Sequence, residues 1–376
     1  MLEFRQVTKK IKNTQILKDI TLTINDGELV AFIGPSGCGK TTTLKMVNRL
    51  LHPTSGTILL NGKDIQKEEV IRLRRNIGYV IQQTGLFPHM TVKENIELIE
   101  QMEHIPADRR RERTIELMEM AGLDYKEFAH RYPGELSGGQ QQRVGVARAL
   151  ALDPDIILMD EPFSALDPVT RTSLQEQLLM IQDEMKKTII FVTHDMDEAI
   201  KLADRICLMN DGKVIQYDTP ENILKNPGDK FVENFVGRNR IWDSPELINA
   251  EDIMIHNVII CRPGTSLVRA YEYMRQNKVD TLMVTDHKRY LKGYVSAYMI
   301  REMKNQPEVL VGDIMSEPPA VIHTSDTLVD VMREVRKTNF YNAPVVDEQG
   351  VLAGLITRSS LVTTFSRQFE EEGETE

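Results

Sequence analysis

The chain has 376 residues, 41% of them hydrophobic and 27% charged, which predicts two or three domains with sizeable cores. Its formal net charge of −10 argues against a general nucleic-acid-binding protein, because such proteins present a basic surface. The cysteines Cys38, Cys207 and Cys261 form no CxxC pair, which argues against a disulfide framework or a zinc site and favours a reducing cytosol. No apolar run approaches the length of a membrane span, and the N-terminus lacks the apolar core of a signal peptide. We therefore expect any membrane role to run through partner proteins.

The first part of the chain alternates short apolar runs with longer amphipathic stretches, which predicts an α/β fold with a mainly parallel sheet. Buried strands are predicted at three runs that are rich in β-branched residues, 28–34, 155–161 and 188–194. The stretch 107–122 predicts a helix. Turn signals at Asp26-Gly27 and Asp211-Gly212 lie between further apolar runs. We therefore expect an antiparallel β layer beside the parallel core.

An internal repeat follows a polar segment that begins near Gly237. Asp252 recurs as Asp313 and Gly293 recurs as Gly354, both at an offset of 61 residues and without a gap. A constant offset over so long a span indicates a duplicated unit. Each copy predicts a short strand, a helix, two strands and a second helix. The predicted boundaries are 1–236 for the first domain, 237–247 for a linker, 248–306 and 307–368 for the two copies, and 369–376 for an acidic tail.

A phosphate-binding loop is predicted at residues 34–41, which match G-x-x-x-x-G-K-[ST] between a predicted strand and a predicted helix. Its glycines let the backbone wrap around phosphate oxygens, and the helix N-terminus favours negative charge. The Lys40 ammonium can reach the terminal phosphates, and the Thr41 hydroxyl can bind Mg²⁺. The predicted nucleotide contacts are Gly34, Pro35, Ser36, Gly37, Cys38, Gly39, Lys40, Thr41 and Thr42.

The buried strand at 155–161 ends in two carboxylates, Asp160 and Glu161. Adjacent carboxylates repel each other unless a cation or a proton lies nearby. A solvated strand end would be the simpler interpretation of this pair alone, but the phosphate loop upstream favours a catalytic one. Asp160 then suits Mg²⁺, and Glu161 is free to orient and polarise an attacking water.

A second anion-binding element is predicted at Ser137-Gly138-Gly139-Gln140, just before a predicted helix. One nucleotide-binding core with two phosphate-binding elements favours a head-to-tail dimer in which each ATP lies between subunits. His194 ends a strand that we expect beside the carboxylate strand. A histidine there is more often structural, but a phosphate contact is plausible in this setting. Gln82 ends another predicted strand and carries no signal of its own.

The first 236 residues resemble the ABC ATPase family, whose motifs occur here in the family's order: the phosphate loop, Gln82, Leu136-Ser137-Gly138-Gly139-Gln140, Asp160-Glu161, Ser164-Ala165-Leu166-Asp167 and His194. The resemblance implies a P-loop NTPase fold with a mixed core sheet, an antiparallel β layer and a helical subdomain. It also implies ATP and Mg²⁺ as cofactors, a homodimer and transmembrane permease partners. One departure is Ile11, at a position where the family often has an aromatic residue that stacks on adenine.

The resemblance further implies a role for each motif residue. Glu161 would be the catalytic base, His194 would hold the γ-phosphate, and Gln82 would couple the metal and the water to a permease. The Mg²⁺ contacts would be Thr41, Gln82 and Asp160. The remaining nucleotide contacts would be Ser137, Gly138, Gly139, Gln140 and Asp167. Of these, Ser137 and Gly139 would reach ATP bound to the opposite subunit.

The repeat resembles a pair of CBS motifs, which implies an α+β tandem domain. An ATPase followed by two CBS motifs resembles the ATPase subunit of glycine betaine/carnitine/choline importers. That resemblance implies an ATP hydrolase that powers uptake of a quaternary-amine solute, with an extracellular solute-binding protein as an indirect partner. It places the chain at the cytoplasmic face of the cell membrane. An importer of another small solute, an exporter and a non-transport ABC ATPase are the alternatives.

Nucleoside-binding CBS motifs often have an aspartate at the two positions taken here by Met299 and Ser360. Resemblance to osmolyte importers therefore points to cyclic di-AMP rather than AMP or ATP. Tyr341 offers a stacking face and Arg358 a phosphate partner. The predicted contacts of this regulatory ligand are Val279, Thr281, Tyr341, Asn342, Ala343, Ile356 and Arg358. Repeats that only dimerise the chain, or that sense ionic strength, remain the alternative.

Overall fold

A computed structural model describes residues 1–82, 85–164, 166–237, 244–303, 308–338 and 342–362. The chain divides into two compact units, Met1–Val236 and Gly237–Glu376. Several residues singled out above lie outside the described ones, namely Ala165, Tyr341, the linker residues 238–243 and the acidic tail. Among the described helices, none combines the length and the hydrophobicity that a membrane span requires.

The first unit alternates strands and helices along the chain. Its strands are β1 (Leu2–Ile11), β2 (Thr14–Ile24), β3 (Leu29–Ile33), β4 (Ser55–Leu60), β5 (Lys63–Asp64), β6 (Ile77–Val80), β7 (Ile156–Asp160), β8 (Thr188–Val192), β9 (Arg205–Asn210) and β10 (Lys213–Asp218). Its helices are α1 (Lys40–Val47), α2 (Val70–Arg75), α3 (Val92–Met102), α4 (Ala107–Met120), α5 (Tyr125–Phe128), α6 (Gly138–Leu150), α7 (Pro168–Met185), α8 (Met196–Leu202), α9 (Pro220–Lys225) and α10 (Lys230–Val236).

A six-stranded sheet in the order β10-β9-β3-β8-β7-β6 forms the centre of the described part of this unit. All neighbouring strands are parallel except β10, which pairs with β9 in the antiparallel sense. The sheet is buried on both faces. In β3, for instance, Ala31 and Ile33 pack into one core cluster while Val30 and Phe32 pack into the other. This double burial explains why the strands are continuous apolar runs, and it confirms the predicted parallel core.

A second, antiparallel sheet has the order β2-β1-β4-β5, which confirms the predicted β layer. The two turn signals have different outcomes. Around Asp211-Gly212, β9 and β10 form a hairpin at the edge of the core sheet. Around Asp26-Gly27, the flanking strands β2 and β3 belong to different sheets, so this turn carries the chain from one layer to the other.

Helices α3 to α6 form the predicted helical subdomain between β6 and β7. Ile96, Leu117 and Val144 of these helices pack into the same cluster as one face of the core sheet. A capping box begins α3, where the Thr91 hydroxyl accepts from the Glu94 N–H and the Glu94 carboxylate accepts from the Thr91 N–H.

The carboxyl ends of β3, β8, β7 and β6 lie at one edge of the core sheet, because these strands are parallel neighbours. The residues that follow them are therefore brought together although they are far apart in sequence. Ligands of open α/β sheets bind at this edge. Here the edge carries Gly34 after β3, His194 after β8, Glu161 after β7 and Gln82 after β6.

The second unit consists of two similar halves. Their elements are α11 (Ala250–Ile253), β11 (Ile260–Cys261), α12 (Leu267–Asn277), β12 (Thr281–Thr285), β13 (Leu291–Ser296) and α13 (Ala297–Glu302), then α14 (Val311–Ile314), β14 (Ile322–His323), α15 (Leu328–Thr338), β15 (Asn342–Val346) and β16 (Leu352–Thr357). The strands form two three-stranded sheets with equivalent registers. In each half, the helix between the first two strands follows the sequence prediction.

The two halves exchange their leading segments. Helix α11 and the residues around it pack with the sheet of the second half, and Ile255 bridges Leu355. Helix α14 packs with the sheet of the first half, and Ser316 bridges Tyr294. Each half therefore has a core completed by the other. The repeated glycine allows this exchange, because a Cβ on Gly293 would lie 2.6 Å from the Ser316 carbonyl oxygen.

We expect Gly293→Ala to destabilise the second unit by about 1–3 kcal/mol, because the added methyl group meets backbone rather than a movable side chain. Gly264→Ala is the matched control, since a Cβ there has no neighbour within 4 Å. Scanning calorimetry of the full chain should show a lower unfolding midpoint for Gly293→Ala alone. Equal midpoints for the two variants would contradict the close packing of the exchanged segment.

Candidate nucleotide-hydrolysis site

The loop between β3 and α1 has a backbone that only glycine fits at its two ends. Gly34 has a φ of 149° and Gly39 a φ of 109°, both in the region that side chains disfavour. A Cβ on Gly34 would lie 2.0 Å from the Met209 carbonyl oxygen, and one on Gly39 would lie 2.4 Å from Leu17 Cδ2. The predicted phosphate loop thus has a backbone that requires glycine at Gly34 and Gly39, and α1 begins at Lys40.

The Lys40 side chain is buried within this loop, with only 7% of the residue exposed. Its ammonium donates to the carbonyl oxygens of Gly34 at 2.6 Å and of Pro35 at 3.2 Å. Cys38 Sγ lies 3.9 Å away, and burial raises the pKa of that thiol although Lys40 lowers it. Since these carbonyl oxygens are neutral, the ammonium charge is left for an anion held by the loop.

Two side-chain oxygens that could bind a metal meet where α1 and β7 approach each other. The Thr41 hydroxyl donates to Asp160 Oδ1 at 2.7 Å. Burial, together with the charge of Asp160, raises the pKa of Tyr79 to about 12. The described residues contain no group of three His, Cys, Asp or Glu side chains suited to a metal. The Thr41 hydroxyl and the Asp160 carboxylate are oxygen ligands of the kind that Mg²⁺ binds together with phosphate and water oxygens.

Three predicted residues from three strand ends meet at the Glu161 carboxylate. Gln82 Nε2 donates to Glu161 Oε2 at 2.8 Å, and His194 Nδ1 lies 3.9 Å from the same oxygen. Glu161 has a φ of 48°, an uncommon value for a residue with a side chain. Its N–H donates to the Val192 carbonyl oxygen at 3.1 Å, which holds this conformation against β8. The His194 side chain is 65% exposed, whereas that of Glu161 is 26% exposed.

The second predicted anion element lies at the start of α6, where Ser137 is the N-cap. Its hydroxyl accepts from the Gln140 N–H at 3.3 Å, and Gln140 Oε1 accepts from the Ser137 N–H at 2.9 Å. Ser137 and Gly138 are exposed, while Gly139 is buried against Thr170. Among the described residues, no hydrogen bond joins Ser137–Gln140 to the Glu161 cluster. Ser137–Gln140 and the Glu161 cluster are therefore two separate groups of predicted ATP contacts within the described part of the chain.

Asp167 is the N-cap of α7. Hydrogen bonds from Thr170 hold the pKa of its carboxyl below the usual range. Ile11, which stands where the family often has an aromatic residue, is exposed at the end of β1.

Two residues that support this site had no signal in the sequence. The buried Asn95 amide holds the segment after Gln82, donating to the carbonyl oxygens of Phe87, Met90 and Thr91 and accepting from the Phe87 N–H. Arg148 Nη1 donates to the Gly85 carbonyl oxygen at 2.8 Å. Their partners are loop backbone atoms, which no motif encodes. Only the capping box before Asn95 marks this helix start in the sequence.

In the second unit, the structure joins two of the predicted ligand contacts across the halves. Asn342 Nδ2 donates to Thr281 Oγ1 at 3.1 Å, and these residues occupy equivalent positions at the starts of β15 and β12. Val279 is partly buried and Arg358 is exposed. Ala343 and Ile356 pack into the hydrophobic core, so that only their backbone atoms are placed to contact a ligand. Tyr341 lies outside the described residues.

Met299 and Ser360, the positions of the missing aspartates, have structural partners. The Met299 N–H donates to Ser296 Oγ at 3.2 Å at the start of α13. The Ser360 N–H donates to Thr357 Oγ1 at 3.0 Å, at the equivalent point of the second half.

Comparison with known families assigns both units. The ABC transporter model matches residues 17–164, and the CBS domain model matches residues 250–303 and 311–367. The carnitine transport ATP-binding protein of Listeria monocytogenes is 48% identical over 96% of this chain and 91% of its own length. The glycine betaine/carnitine/choline transport ATP-binding protein of Bacillus subtilis is 47% identical, with 96% and 95% covered.

Among solved structures, a dimeric structure of the ATP-binding cassette MJ0796, in a post-hydrolysis state bound to ADP and Pi, is similar to the first unit. It has a TM-score of 0.54 and 38% identity, over 58% of this chain and 99% of that one. These matches confirm the predicted fold class, an ABC ATPase domain followed by a tandem CBS domain. This chain therefore belongs to the family of quaternary-amine transport ATP-binding proteins, the ATP-hydrolysing subunits of ABC transporters.

Proposed function

We propose that this chain powers the import of a quaternary-amine compatible solute such as glycine betaine, carnitine or choline. The observation that carries the proposal is similarity, over 96% of this chain, to relatives named for these solutes. Proteins named for carnitine, for all three solutes and for choline are 48%, 47% and 46% identical to this chain. Because these values hardly differ, they support the class of solute and not one member of it. An extracellular solute-binding protein would deliver the solute.

ATP would bind with its phosphates on the loop Gly34–Thr42. The buried Lys40 ammonium supplies the cation for the terminal phosphates, and the loop's N–H groups supply further donors. Mg²⁺, when bound, neutralises phosphate charge, and Thr41, Asp160 and Gln82 are the side chains that would hold it. Ile11 would leave adenine without an aromatic stacking partner at this position.

Hydrolysis requires a water placed in line with the γ-phosphorus and a group that takes its proton. Glu161 would fill that role, because it directly follows Asp160, a proposed metal ligand at the end of β7. Gln82 holds one of its carboxylate oxygens, so the carboxylate is oriented before water arrives. The exposed imidazole of His194, beside the same oxygen, is free to donate to a γ-phosphate oxygen. Attack of the water breaks the bond to the β-phosphate oxygen and releases ADP and phosphate.

A head-to-tail homodimer would complete each site. Ser137 and Gly138 are exposed at the N-terminus of α6 and are not engaged with their own subunit's Glu161 cluster. That N-terminus favours an anion, and the γ-phosphate of ATP on the opposite subunit would provide it. Asp167 would contact the same nucleotide. The dimeric state of the similar cassette bound to ADP and Pi supports this arrangement.

A groove lined in part by Tyr79 and Phe87, which stand before and after Gln82 in the sequence, supports docking of a permease subunit. It has a volume of about 450 Å³ and lies between α2, β6, α3 and α6. Ile71, Phe87 and Met102 line it and are 57%, 43% and 58% exposed, an unusual amount of large apolar surface in one place. Phe87 belongs to the segment that follows Gln82. A permease element in this groove would therefore touch the chain next to the residue that holds Glu161, at the cytoplasmic face of the membrane.

The CBS unit would regulate transport by binding cyclic di-AMP. Thr281 and Asn342 meet at equivalent positions of the two halves, which gives the unit a local two-fold arrangement. A ligand with two-fold symmetry suits such an arrangement. Val279 lies two residues before Thr281, the exposed Arg358 follows Thr357, which pairs with Asn342 in the sheet, and Tyr341 would add a stacking surface. With Met299 and Ser360 at these two positions, no carboxylate is there for a ribose.

We expect Glu161→Gln to retain ATP binding but to lose hydrolysis by a factor on the order of 10²–10⁴, because the proton acceptor is removed while the phosphate loop is intact. ATP turnover of the full chain measures the loss of hydrolysis. Uptake of radiolabelled glycine betaine, carnitine and choline by proteoliposomes with the co-purified permease measures transport. Glu176→Gln, on the exposed side of α7, is the control. Normal turnover in Glu161→Gln would refute the assignment, and uptake of none of the three solutes by the unsubstituted complex would refute the solute class.

We expect Ser137→Arg chains to bind ATP without hydrolysing it, and to regain activity when mixed with inactive Lys40→Ala chains. In a head-to-tail dimer with one chain of each kind, one ATP site combines the phosphate loop of the Ser137→Arg chain with Ser137 of the Lys40→Ala chain. Both parts of that site are unsubstituted. Random pairing should restore at most about a quarter of the wild-type rate. Lys40→Ala mixed with Glu161→Gln is the control and should stay inactive, because both changes affect the same side of each site. Equal behaviour of the two mixtures would contradict the shared site.

We expect the CBS unit to bind cyclic di-AMP in preference to AMP. Calorimetry on full-length Lys40→Ala chains, whose ATP site is weakened, measures both ligands. Tyr341→Ala should weaken binding of cyclic di-AMP by about 1–3 kcal/mol, as loss of base stacking does elsewhere. Tyr271→Ala, on α12 outside the predicted contact loops, should not. Tight AMP binding without a cyclic di-AMP signal, or no binding of either, would refute the proposal.

A further inference from the structure

The turn that carries His194 is held by a buried carboxylate on the next helix. Thr193 Oγ1 donates to Glu198 Oε2 at 2.6 Å and accepts from the Asp195 N–H at 3.0 Å. The Thr193 N–H donates to the Phe32 carbonyl oxygen at 3.1 Å. Glu198 is 7% exposed, and burial raises the pKa of its carboxyl. The backbone on both sides of His194 is thus fixed, while the imidazole itself points to solvent.

A single guanidinium reaches this turn from α7. Arg171 Nε lies 3.8 Å from Glu198 Oε1, and Arg171 Nη1 lies 3.9 Å from Asp195 Oδ2. Arg171 Nη2 donates to the Leu166 carbonyl oxygen at 3.3 Å. One side chain therefore spans the segment before α7 and the turn after β8. An arginine fork suits such a bridge, because its donors point in several fixed directions.

The first turn of α7 also touches the start of α6. Thr170, next to Arg171, packs so closely on Gly139 that a Cβ there would lie 2.0 Å from Thr170 Cγ2. Asp167 caps the same turn. The first turn of α7 therefore has two neighbours. Through Thr170 it contacts the start of α6, which is proposed to meet ATP of the opposite subunit, and through Arg171 it reaches the turn that carries His194.

The distances from the Arg171 guanidinium to Asp195 and Glu198 exceed hydrogen-bond length in this structure. Within the described residues, the buried Arg171 Nε has no hydrogen-bond partner, although a carboxylate oxygen lies 3.8 Å away. A buried charged donor without a partner is costly, and a shift of roughly 0.7–1 Å would convert this ion pair into a charge-assisted hydrogen bond. Hydrogen bonds around catalytic groups commonly tighten only when substrate is bound.

We propose that Arg171 is a positioning residue that sets His194 for hydrolysis when the start of α6 and the segment before α7 engage ATP on the opposite subunit. The inference rests on the proposed function, because it takes the roles of His194 and Ser137 from there. Contact of the opposite nucleotide with the start of α6 presses on Thr170. Arg171 then draws Asp195 and Glu198 together around the turn, and the imidazole is fixed toward the subunit's own γ-phosphate.

The test is a double-mutant cycle on full-length chains, with single-turnover rates of radiolabelled ATP so that low residual activity is resolved. Arg171→Met should lower kcat by about 10- to 100-fold, the loss typical of a misplaced catalytic group. KM for ATP should stay within about threefold, because the phosphate loop is untouched. The variant Arg171→Met/His194→Ala should be no slower than His194→Ala, since two residues that act through one group are not additive. Arg171→Lys should fall between wild type and Arg171→Met, because an ammonium reaches one carboxylate but lacks the fork.

Lys201→Met is the matched control, because Lys201 Nζ also joins α8 to α7, through Gln175 Oε1 at 3.1 Å, without touching the His194 turn. It should leave kcat near the wild-type value. Calorimetry shows whether each variant is folded. If Arg171→Met is not folded, the double-mutant cycle with His194→Ala uses Arg171→Lys instead. Wild-type kcat in Arg171→Met, or losses that multiply in the double variant, would overturn the inference and leave the proposed function intact. Full activity of His194→Ala would overturn both the inference and the role proposed for His194.

Discussion

The hydrogen bond from the Glu161 N–H to the Val192 carbonyl oxygen is the constraint on which the site depends. It ties the end of β7 to the end of β8 and holds Glu161 in a backbone conformation that costs energy for a residue with a side chain. Such a conformation persists only where the surrounding structure is rigid. The core sheet provides that rigidity, because its strands are buried on both faces and leave little room for relaxation. The carboxylate is consequently in place before any ligand arrives.

The predicted site residues of one subunit fall into two groups. The phosphate loop, Asp160, Glu161, Gln82 and His194 gather at one edge, while the start of α6 packs against α7. The Glu161 cluster is thus assembled within one chain, whereas the described residues show no hydrogen bond from Ser137 or Gly138 to it. In the proposed head-to-tail dimer, assembly rather than rearrangement of the sheet would be the step that completes the site.

Much of this site could be predicted because its residues follow apolar runs. Glu161 and His194 stand one and two residues after the ends of buried strands, and the ends of neighbouring parallel strands meet at one edge. Gln82 was recognisable only through resemblance to a family, since a lone glutamine after a strand carries no signal. Arg171, Glu198 and Asn95 were missed because each acts through single contacts with a loop carbonyl group or a turn hydroxyl, which no motif or residue spacing encodes. Likewise, the 61-residue offset revealed equivalent segments but not which half each one packs against.

That exchange of leading segments bears on how the second unit arose. A lone copy of the repeat would expose the surface that Ile253 or Ile314 now covers, and its own leading segment would have no sheet to join. An ancestral single-copy chain could satisfy both needs only by trading segments with an identical molecule, as a swapped homodimer does. Gene fusion would then have turned an association between chains into one within a chain. After such a fusion, the two copies are encoded and inherited together. Grafting a single copy onto another protein would therefore transfer an incomplete core.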